Sequence, residues 1–274
     1  MKSQWECLLQ NLGEWQGSFT HYSPEGKLVE DIPTLVSLTG LNNDQTVRQI
    51  IRRFLPSGQV EDKVLEYSSL GRSTLFFDNG AFSQGSIQLA PFSEFGAELG
   101  LIHDRKRLRL VQMFNREGNL EKLTLIKERL AGSEFRQREH LKVDDLLGEW
   151  QGEAVTIYRD WRSPDVYSTK LKIYLDSQGK LVQQLSFGDR TISSTARIEG
   201  SILYFDRVSS TVQVLLLPDG SSSTCPLEVK VGQPFFLEVG WLLESDLRHR
   251  LIRSYNEKGE WVTLTLVKEL KTKS

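Results

Sequence analysis

Short runs of alternating apolar and polar residues dominate the chain and predict strands rather than helices. The clearest example is 167–175, which alternates, is followed by a turn signal at 176–179, and returns as a second run at 180–187. Runs of this length bounded by Gly, Asp and Asn are typical of antiparallel hairpins. Each half of the chain holds about eight to ten such candidates, spaced by roughly 8–12 residues as in all-β sandwiches and barrels. Helical periodicity is nearly absent, and only the short segments 4–12 and 143–147 are candidates for helix.

The chain is internally duplicated. The hexapeptide Leu-Gly-Glu-Trp-Gln-Gly at 12–17 recurs unchanged at 147–152. Further along, 10 of the 22 aligned positions are identical between 107–128 and 248–269, where chance gives about one or two. The matches keep their order, so the sequence predicts two tandem units with the same fold.

Each unit begins at the Gly-Glu-Trp motif and ends at Leu-Thr-Leu-x-Lys-Glu, which gives it the size of a domain. We predict an all-β protein of two antiparallel barrels with short N-terminal helical segments: a first barrel at 1–130, a charged linker at 131–146 and a second barrel at 147–274. Closing a sheet into a barrel removes its edge strands. A barrel of roughly eight to ten strands leaves room for one small ligand.

Composition and charge exclude several classes of protein. The 274 residues are 39% hydrophobic and 26% charged, and 34 Lys and Arg against 36 Asp and Glu leave a net charge of −2. This balance is that of a globular protein and argues against a nucleic-acid partner, which favours a basic surface. No apolar run approaches the roughly 18–20 residues that span a bilayer, and the N-terminus lacks the apolar core of a signal peptide. Cys7 and Cys225 alone predict no disulfide framework, so we expect a cytoplasmic protein with no membrane span.

The sequence offers no motif for catalysis or metal binding. The histidines lack metal-ligand spacing, and no Cys-x-x-Cys, phosphate-binding loop or Gly-x-Ser-x-Gly elbow is present. We interpret the histidines as surface residues or as residues without a functional role, and assign no catalytic residue, no metal ligand and no cofactor, so the pattern favours binding over catalysis. The four histidines are His21, His103, His140 and His249.

A Gly-x-Trp motif at the first strand of each unit, followed by arginine on a late strand, resembles the lipocalins of the calycin superfamily. Two such units in tandem, with Arg-x-Arg-Leu and Asn-x-x-Gly-x-x-x-x-Leu-Thr-Leu, resemble a cyanobacterial and plastid family of lipocalin-like proteins, domain of unknown function 3598. The resemblance covers nearly the whole chain and implies a fold but no established activity. It implies that Trp15 and Trp150 close one end of each barrel and that a late-strand arginine lies over each indole.

Two arginines in each unit are candidates for that contact and for ligand binding. Arg107 and Arg109 are two residues apart, so they share one face of a strand, and Arg248 and Arg250 do the same. An arginine inside an apolar barrel needs a carboxylate partner, because burying an unpaired charge is costly.

The sequence leaves two sources for that carboxylate. Glu98 and Glu238 occupy matching places on the strand before each arginine strand, and a cross-strand Glu–Arg pair is the simpler account. Alternatively, the second arginine of each pair holds the carboxylate of a ligand beside an aromatic residue, as the resemblance to fatty-acid-binding members of the superfamily implies. The candidate ligand-binding residues are Arg107, Arg109, Phe114, Arg248, Arg250 and Tyr255.

The preferred interpretation is a non-catalytic protein that binds a small apolar or amphipathic molecule, such as a fatty acid, a bilin or a similar carboxylate-bearing ligand. The first alternative is a bilin lyase or chromophore chaperone, although the calycin lyases that suggest it carry one barrel rather than two. The second alternative is a protein-interaction module with filled barrels and no ligand. An open pocket with arginine at its base separates the first two functions from the third.

Overall fold

Strands make up most of the chain in the computed structural model, which describes residues 2–133, 138–206 and 210–272. The first unit starts with a short helix whose N-terminus is capped reciprocally by Ser3 and Glu6. The helix continues as a 3-10 turn, so the predicted helical segment consists of two short pieces. The elements of the first unit are α1 (Gln4–Leu8), the 3-10 turn (Leu9–Asn11), β1 (Gly13–Tyr22), β2 (Leu28–Leu41), β3 (Thr46–Phe54), β4 (Val60–Tyr67), β5 (Thr74–Phe76), β6 (Phe82–Gly85), β7 (Phe95–His103), β8 (Lys106–Phe114) and β9 (Leu120–Leu130).

The second unit repeats this order and contains one strand more. The predicted linker, 131–146, includes 134–137, which lie outside the described residues, and the boundaries of the domains stay a prediction. In the described ranges no helix has the length and apolar character needed to cross a membrane. The elements of the second unit are α2 (Val143–Leu146), β10 (Gly148–Tyr158), β11 (Asp165–Leu175), β12 (Leu181–Phe187), β13 (Arg190–Glu199), β14 (Ile202–Asp206), β15 (Thr211–Leu216), β16 (Ser221–Pro226), β17 (Phe235–Leu242), β18 (Leu247–Tyr255) and β19 (Trp261–Lys271).

The two sheets differ in closure. Strands β10 to β19 pair in sequence order and β10 also pairs with β19, so the second sheet is a closed barrel. In the first unit the order is β4-β3-β2-β1-β9-β8-β7-β6-β5, and β4 and β5 do not pair in the part of the chain that is described. The gap corresponds to β14, which joins β13 to β15 in the second unit. The predicted all-β fold of two tandem lipocalin-like units is confirmed, with the difference that the first sheet is a curled half-barrel.

The side chain of Gln4 covers the short edge strand β5. The backbone N–H of Phe76 donates to Gln4 Oε1 at 2.7 Å, and Gln4 Nε2 donates to the carbonyl of Phe76 at 2.9 Å. The amide thus binds the backbone groups that a neighbouring strand would otherwise satisfy.

Alternation along β8 and β18 decides which residues face the interior of each unit. On β18, Arg250 and Ile252 line the interior, whereas Leu251 between them is buried against the first unit. On β8, Arg109 faces the interior and Leu110 faces the second unit. Both faces of these strands are therefore buried, one in their own unit and one in the contact between units.

The two units pack face to face around one large cluster of buried apolar side chains drawn from both. Backbone hydrogen bonds repeat at two matching points: Leu89 N–H donates to Gly259 O, and Val229 N–H donates to Gly118 O, both at 2.8 Å. Gly118 and Gly259 have φ of +86° and +76°, a conformation that favours glycine. A Cβ atom at these positions would lie 2.5 Å and 2.8 Å from the other unit. The identical glycine in the two repeats is therefore explained by both its turn and its contact.

Candidate functional site

Trp15 on β1 and Trp150 on β10 are buried at the end of each unit where the short helix packs. The guanidinium carbon of Arg107 lies 4.4 Å from the centre of the Trp15 ring, and that of Arg248 lies 4.7 Å from the Trp150 ring. Each indole N–H donates to the backbone carbonyl four residues earlier, at 2.9 and 3.0 Å. A cation over a desolvated indole gains about 2 kcal/mol. The first arginine of each pair therefore stabilises the end of its unit at which the tryptophan is buried.

Both arginines of the first unit are paired with glutamates in a group that we call the first quartet: Arg107, Arg109, Glu98 and Glu128. Glu128 on β9 accepts from Arg107 Nε at 2.7 Å and from Arg109 Nη2 and Nε at 2.8 and 3.0 Å. Glu98 on β7 accepts from Arg109 Nη1 at 2.6 Å and from Gln84 Nε2 at 2.7 Å. Two cations and two anions leave this buried group neutral, which is the condition under which such charges are tolerated.

The second quartet consists of Arg248, Arg250, Glu238 and Glu269, and the contacts of Arg250 Nη1 and Nη2 are longer than those of Arg109. Glu269 on β19 accepts from Arg248 Nε at 2.5 Å and from Arg250 Nε and Nη2 at 3.0 and 3.4 Å. Glu238 on β17 accepts from Arg250 Nη1 at 3.3 Å, and the hydroxyl of Thr224 lies 3.5 Å from it. The same four residue types thus form a looser group in the second unit.

A further difference lies at the residue whose carbonyl accepts from the tryptophan. In the first unit this residue is Asn11, whose Oδ1 also accepts from Arg107 Nη1 at 3.3 Å. In the second unit it is Leu146, whose side chain has no acceptor. Arg248 Nη2 is buried and has no hydrogen-bond partner among the described residues.

Burial and pairing move the carboxyl pKa values of the quartets in different directions. Burial acts to raise the pKa of Glu128 and of Glu269, but the two adjacent arginines outweigh it and hold each pKa below its ordinary value. For Glu238 burial is the larger effect, so its pKa is raised although Arg250 and Arg248 act to lower it. The second quartet therefore combines one carboxylate that stays ionised with one that takes up a proton more readily.

The second barrel encloses a cavity of about 300 Å³ beside its quartet. Glu238, Arg248 and Arg250 form part of its wall, together with a few hydroxyls and one amide. The rest of the wall is aliphatic or aromatic. The apolar lining includes Leu171, Ile173, Leu185, Leu203, Phe205 and Val214.

The first unit has an open cradle of about 570 Å³ in the corresponding place. Arg109 and Glu98 line it, but so do His21, Gln49 and Lys63, so its wall is more polar than that of the second cavity. The wall is interrupted between β4 and β5, where the second barrel has β14. The two interiors therefore differ in both closure and chemistry.

The structure does not bring Phe114 and Tyr255 to these arginines. Both are buried on the opposite face of their strands, where the ring centre of Phe95 lies 5.9 Å from that of Phe114 and 5.0 Å from that of Tyr255. The Tyr255 hydroxyl donates to the carbonyl of Ser86 in the first unit at 2.8 Å. The expectation that they flank a ligand carboxylate is corrected: they belong to the contact between the units.

Of the two interpretations of the histidines, a surface position is excluded for His249, which is buried on β18. Its ring centre lies 5.4 Å from that of His103 on β7, and its Nδ1 has no hydrogen-bond partner within the described ranges. Burial, together with His103 and Lys268, lowers the pKa of His249 to about 4. The side chain is therefore neutral at pH 7 and lies between the units.

Comparison with known proteins places the chain in a family. A solved protein of unknown function from the DUF3598 family of Nostoc punctiforme PCC 73102 is 60% identical, covers 99% of this chain and 100% of its own, and has a TM-score of 0.95. The chain belongs to the DUF3598 family. The N-terminal model of that family matches residues 1–133, and the model described as the C-terminal domain of biogenesis factor required for ATP synthase 1 matches residues 137–272. A search of curated proteins found no match.

A second solved protein resembles part of this DUF3598 chain. The S-type phycobiliprotein lyase CPES from Guillardia theta is 13% identical and covers 48% of this chain and 91% of its own, with a TM-score of 0.38. At that TM-score it supports no statement about function. The chemistry of this DUF3598 protein is therefore best inferred from its own quartets and cavities.

Glu128 and Glu269, the carboxylates that contact both arginines of each quartet, were not among the sequence candidates. The signal was present, because they are the last residues of the ending Leu-Thr-Leu-x-Lys-Glu that both DUF3598 units share. Antiparallel register places Glu128 directly opposite Arg107 and Glu269 directly opposite Arg248. The predicted partners Glu98 and Glu238 contact only the second arginine of each pair.

Proposed function

We propose that the second unit binds one small apolar or amphipathic molecule inside its barrel without catalysing a reaction. The observation that carries this proposal is the cavity of about 300 Å³ that the closed barrel encloses between mostly apolar side chains. Small-molecule sites are typically apolar pockets with a few convergent polar groups that orient the ligand. The second quartet supplies such groups at one place in the wall.

The size of the cavity favours a compact ligand. Small-molecule pockets have volumes of roughly 300–1,000 Å³, so this cavity lies at the lower limit. It suits a short aliphatic chain or a single ring better than a whole tetrapyrrole. The bilin lyase is therefore the less favoured alternative, and it stays a prediction.

The polar residues of the cavity favour binding over catalysis. Ser194, Ser222 and Ser254 line it, but none of its described lining residues is a histidine or lysine, the side chains that commonly activate a hydroxyl. The arginines are already paired with glutamates. These groups can orient a bound molecule, whereas an activated nucleophile is missing from the described lining.

Titration calorimetry with 1-octanol tests the proposal on the full chain. We expect one saturable site per chain, because the apolar wall gains from burying the aliphatic chain. Ser194→Phe fills the cavity and should weaken binding by at least about tenfold, as should Val214→Phe. Ser193→Phe is the matched control, since alternation points this neighbour out of the barrel. The absence of a saturable site, or equal binding by Ser194→Phe and the wild type, would overturn the proposal.

A role in the biogenesis of ATP synthase is a second candidate function. The observation that favours it is the match of residues 137–272 to the C-terminal domain of a biogenesis factor required for ATP synthase. Deleting the gene and measuring assembled ATP synthase on native gels tests this role. Loss of the assembled enzyme supports it, and an unchanged amount rules it out.

A further inference from the structure

The second cavity contains a hydrogen-bond donor that the described residues leave unused. Arg248 lines the cavity beside Leu146 and is 6% exposed, and within the described ranges only its Nε is hydrogen-bonded. A buried donor on a cation is costly to leave unpaired. In the first unit, Asn11 supplies the acceptor that Arg107 needs. A ligand with an oxygen acceptor would fill that role for Arg248.

Glu238 is held less closely than its counterpart Glu98. Gln84 donates to Glu98 at 2.7 Å, whereas the matching residue in the second unit is Thr224, whose shorter side chain leaves a 3.5 Å separation from Glu238. The contact from Arg250 to Glu238 is also long, at 3.3 Å. Glu238 is thus the carboxyl group of the second quartet whose protonation disturbs the fewest close contacts.

The charge balance links these two features. Arg248 and Arg250 balance Glu238 and Glu269, so the quartet is neutral before a ligand enters. A carboxylate ligand would add one uncompensated negative charge to a buried site. When two carboxylates share such a site, the pKa of one of them rises strongly and a proton is retained.

We propose that the ligand of the second barrel is a short-chain carboxylic acid whose carboxylate accepts a hydrogen bond from the guanidinium of Arg248, while Glu238 takes up one proton from solvent. The proposal rests on the proposed binding function and specifies the ligand class for the same cavity. Binding is then the reaction of an ionised ligand, an ionised Glu238 and one proton to give an ionised ligand beside a neutral Glu238. The only covalent changes are the O–H bond that forms on Glu238 and the bond that its proton leaves in hydronium or the buffer acid.

The groups that face Glu238 support its role as the proton acceptor. Arg248 and Arg250 approach it from β18, Glu269 from β19 and Thr224 from β16. Glu269 lies between both arginines, which hold its pKa below the ordinary value, so it stays ionised. Burial raises the pKa of Glu238 despite the same arginines. Within the described residues, Glu238 is therefore the carboxyl of this group that most readily takes the proton.

Calorimetry with octanoate and 1-octanol, which share chain length, measures this linkage. Octanoate binding in buffers of different ionisation enthalpy should show uptake of about one proton per ligand between pH 6 and 8. Its affinity should fall by about tenfold for each unit rise in pH. Binding of 1-octanol should show neither effect, because the alcohol brings no charge.

Two variants locate the proton and the head group. Glu238→Gln mimics the protonated carboxyl, so octanoate should bind without proton uptake and without dependence on pH. Leu146→Asn should place an acceptor beside Arg248, as Asn11 does for Arg107, and weaken octanoate by roughly 10- to 100-fold. The affinity for 1-octanol should fall by less than about tenfold, because the alcohol loses only apolar contact with the lining residue 146. Glu98→Gln, the same change in the first unit, is the matched control and should leave octanoate binding as in the wild type.

The outcomes separate this proposal from the function on which it rests. If neither compound binds, the proposed function fails. If 1-octanol binds but octanoate does not, or octanoate binds without proton uptake, the ligand class proposed here is wrong. Retained proton uptake in Glu238→Gln would place the proton on the ligand and overturn the role of Glu238. Unchanged octanoate affinity in Leu146→Asn would overturn the role of Arg248.

Discussion

The first and second quartets contain the same residue types at matching positions of the repeat, but their surroundings differ at two residues. Beside the first quartet lie Asn11, which accepts from Arg107 at 3.3 Å, and Gln84, which donates to Glu98 at 2.7 Å. Beside the second quartet the matching residues are Leu146, which offers no side-chain acceptor, and Thr224, whose hydroxyl lies 3.5 Å from Glu238. The pairs with Glu128 and with Glu269 are common to both units.

This difference teaches that the residues around a duplicated group of charges can change how those charges are satisfied. The two glutamates of each quartet balance its two arginines. In the second unit, Leu146 in place of Asn11 and the shorter Thr224 in place of Gln84 leave one arginine with an unused donor and one carboxyl loosely held. Among the described residues, the second quartet alone borders a mostly apolar cavity inside a closed barrel.

The largest effect on stability is expected from replacing the glutamate that contacts both arginines in each unit. Glu128→Gln or Glu269→Gln should lower the free energy of unfolding by about 3–5 kcal/mol, because each leaves two buried arginines with one carboxylate. Urea denaturation followed by tryptophan fluorescence measures the change. A loss below about 1 kcal/mol in either variant would show that this quartet does not stabilise its unit.

Lowering the pH should destabilise the protein through His249, which has no histidine counterpart in the first unit. His249 aligns with Leu108 of the first unit, and burial with His103 and Lys268 lowers its pKa to about 4. The unfolded state then binds a proton that the folded state excludes, so stability is full above about pH 6.5 and falls as pH drops toward 4, by roughly 3 kcal/mol in total.

Thermal denaturation of the wild type and of His249→Leu at stepped pH values checks this window. The variant carries the residue of the first unit and should lose this part of the pH dependence. Protonation of Glu128 and Glu269 should destabilise the protein only at pH values below the ordinary pKa of glutamate, because the pKa of each is lowered in the folded state. Constant wild-type stability from pH 7 to 5 would contradict the role of His249.

Replacing Glu98 and Glu238, the glutamates that contact only the second arginine of each pair, tests whether the difference in contact length affects stability. Glu98→Gln should destabilise the protein by about 1–3 kcal/mol, because Arg109 and Gln84 contact Glu98 closely. Glu238→Gln should cost less, because its contacts are 3.3 Å or longer. Equal losses in the two variants, measured by the same urea titration, would mean that the difference in contact length has no energetic consequence.

The smallest effect is expected from Gln84→Thr, which gives the first unit the residue of the second. It removes the 2.7 Å hydrogen bond to Glu98 from a partly exposed site and should cost about 0.5–1.5 kcal/mol. Differential scanning calorimetry would detect this as a lowered Tm. An unchanged or raised Tm would show that Gln84 does not hold Glu98.

The duplication, the strands and the shared face of each arginine pair were predictable, because they depend on repeated residues and on the two-residue period of a strand. The incorrect prediction that an aromatic residue lies beside each arginine could have been avoided. Phe114 lies five residues after Arg109, and an odd separation puts the two on opposite faces of a strand. The partners Glu128 and Glu269 required the register between β8 and β9 and between β18 and β19, which local pattern does not specify.

The closure of each sheet was harder to predict. Whether a unit closes depends on β14, a strand of five residues that no motif distinguishes from the loop in the first unit. The unused donor of Arg248 depends on the distance between atoms that are far apart in sequence. Such differences between similar units follow from tertiary contacts rather than from composition or periodicity.

A crystal structure of the protein with 8-bromooctanoate, phased on the anomalous signal of bromine, tests the binding site most directly. We expect one bromine site per chain inside the barrel formed by β10–β19, with the carboxylate within hydrogen-bond distance of the Arg248 guanidinium. A bromine site in the cradle of the first unit, or a second barrel that excludes the ligand at saturating concentration, would contradict this assignment.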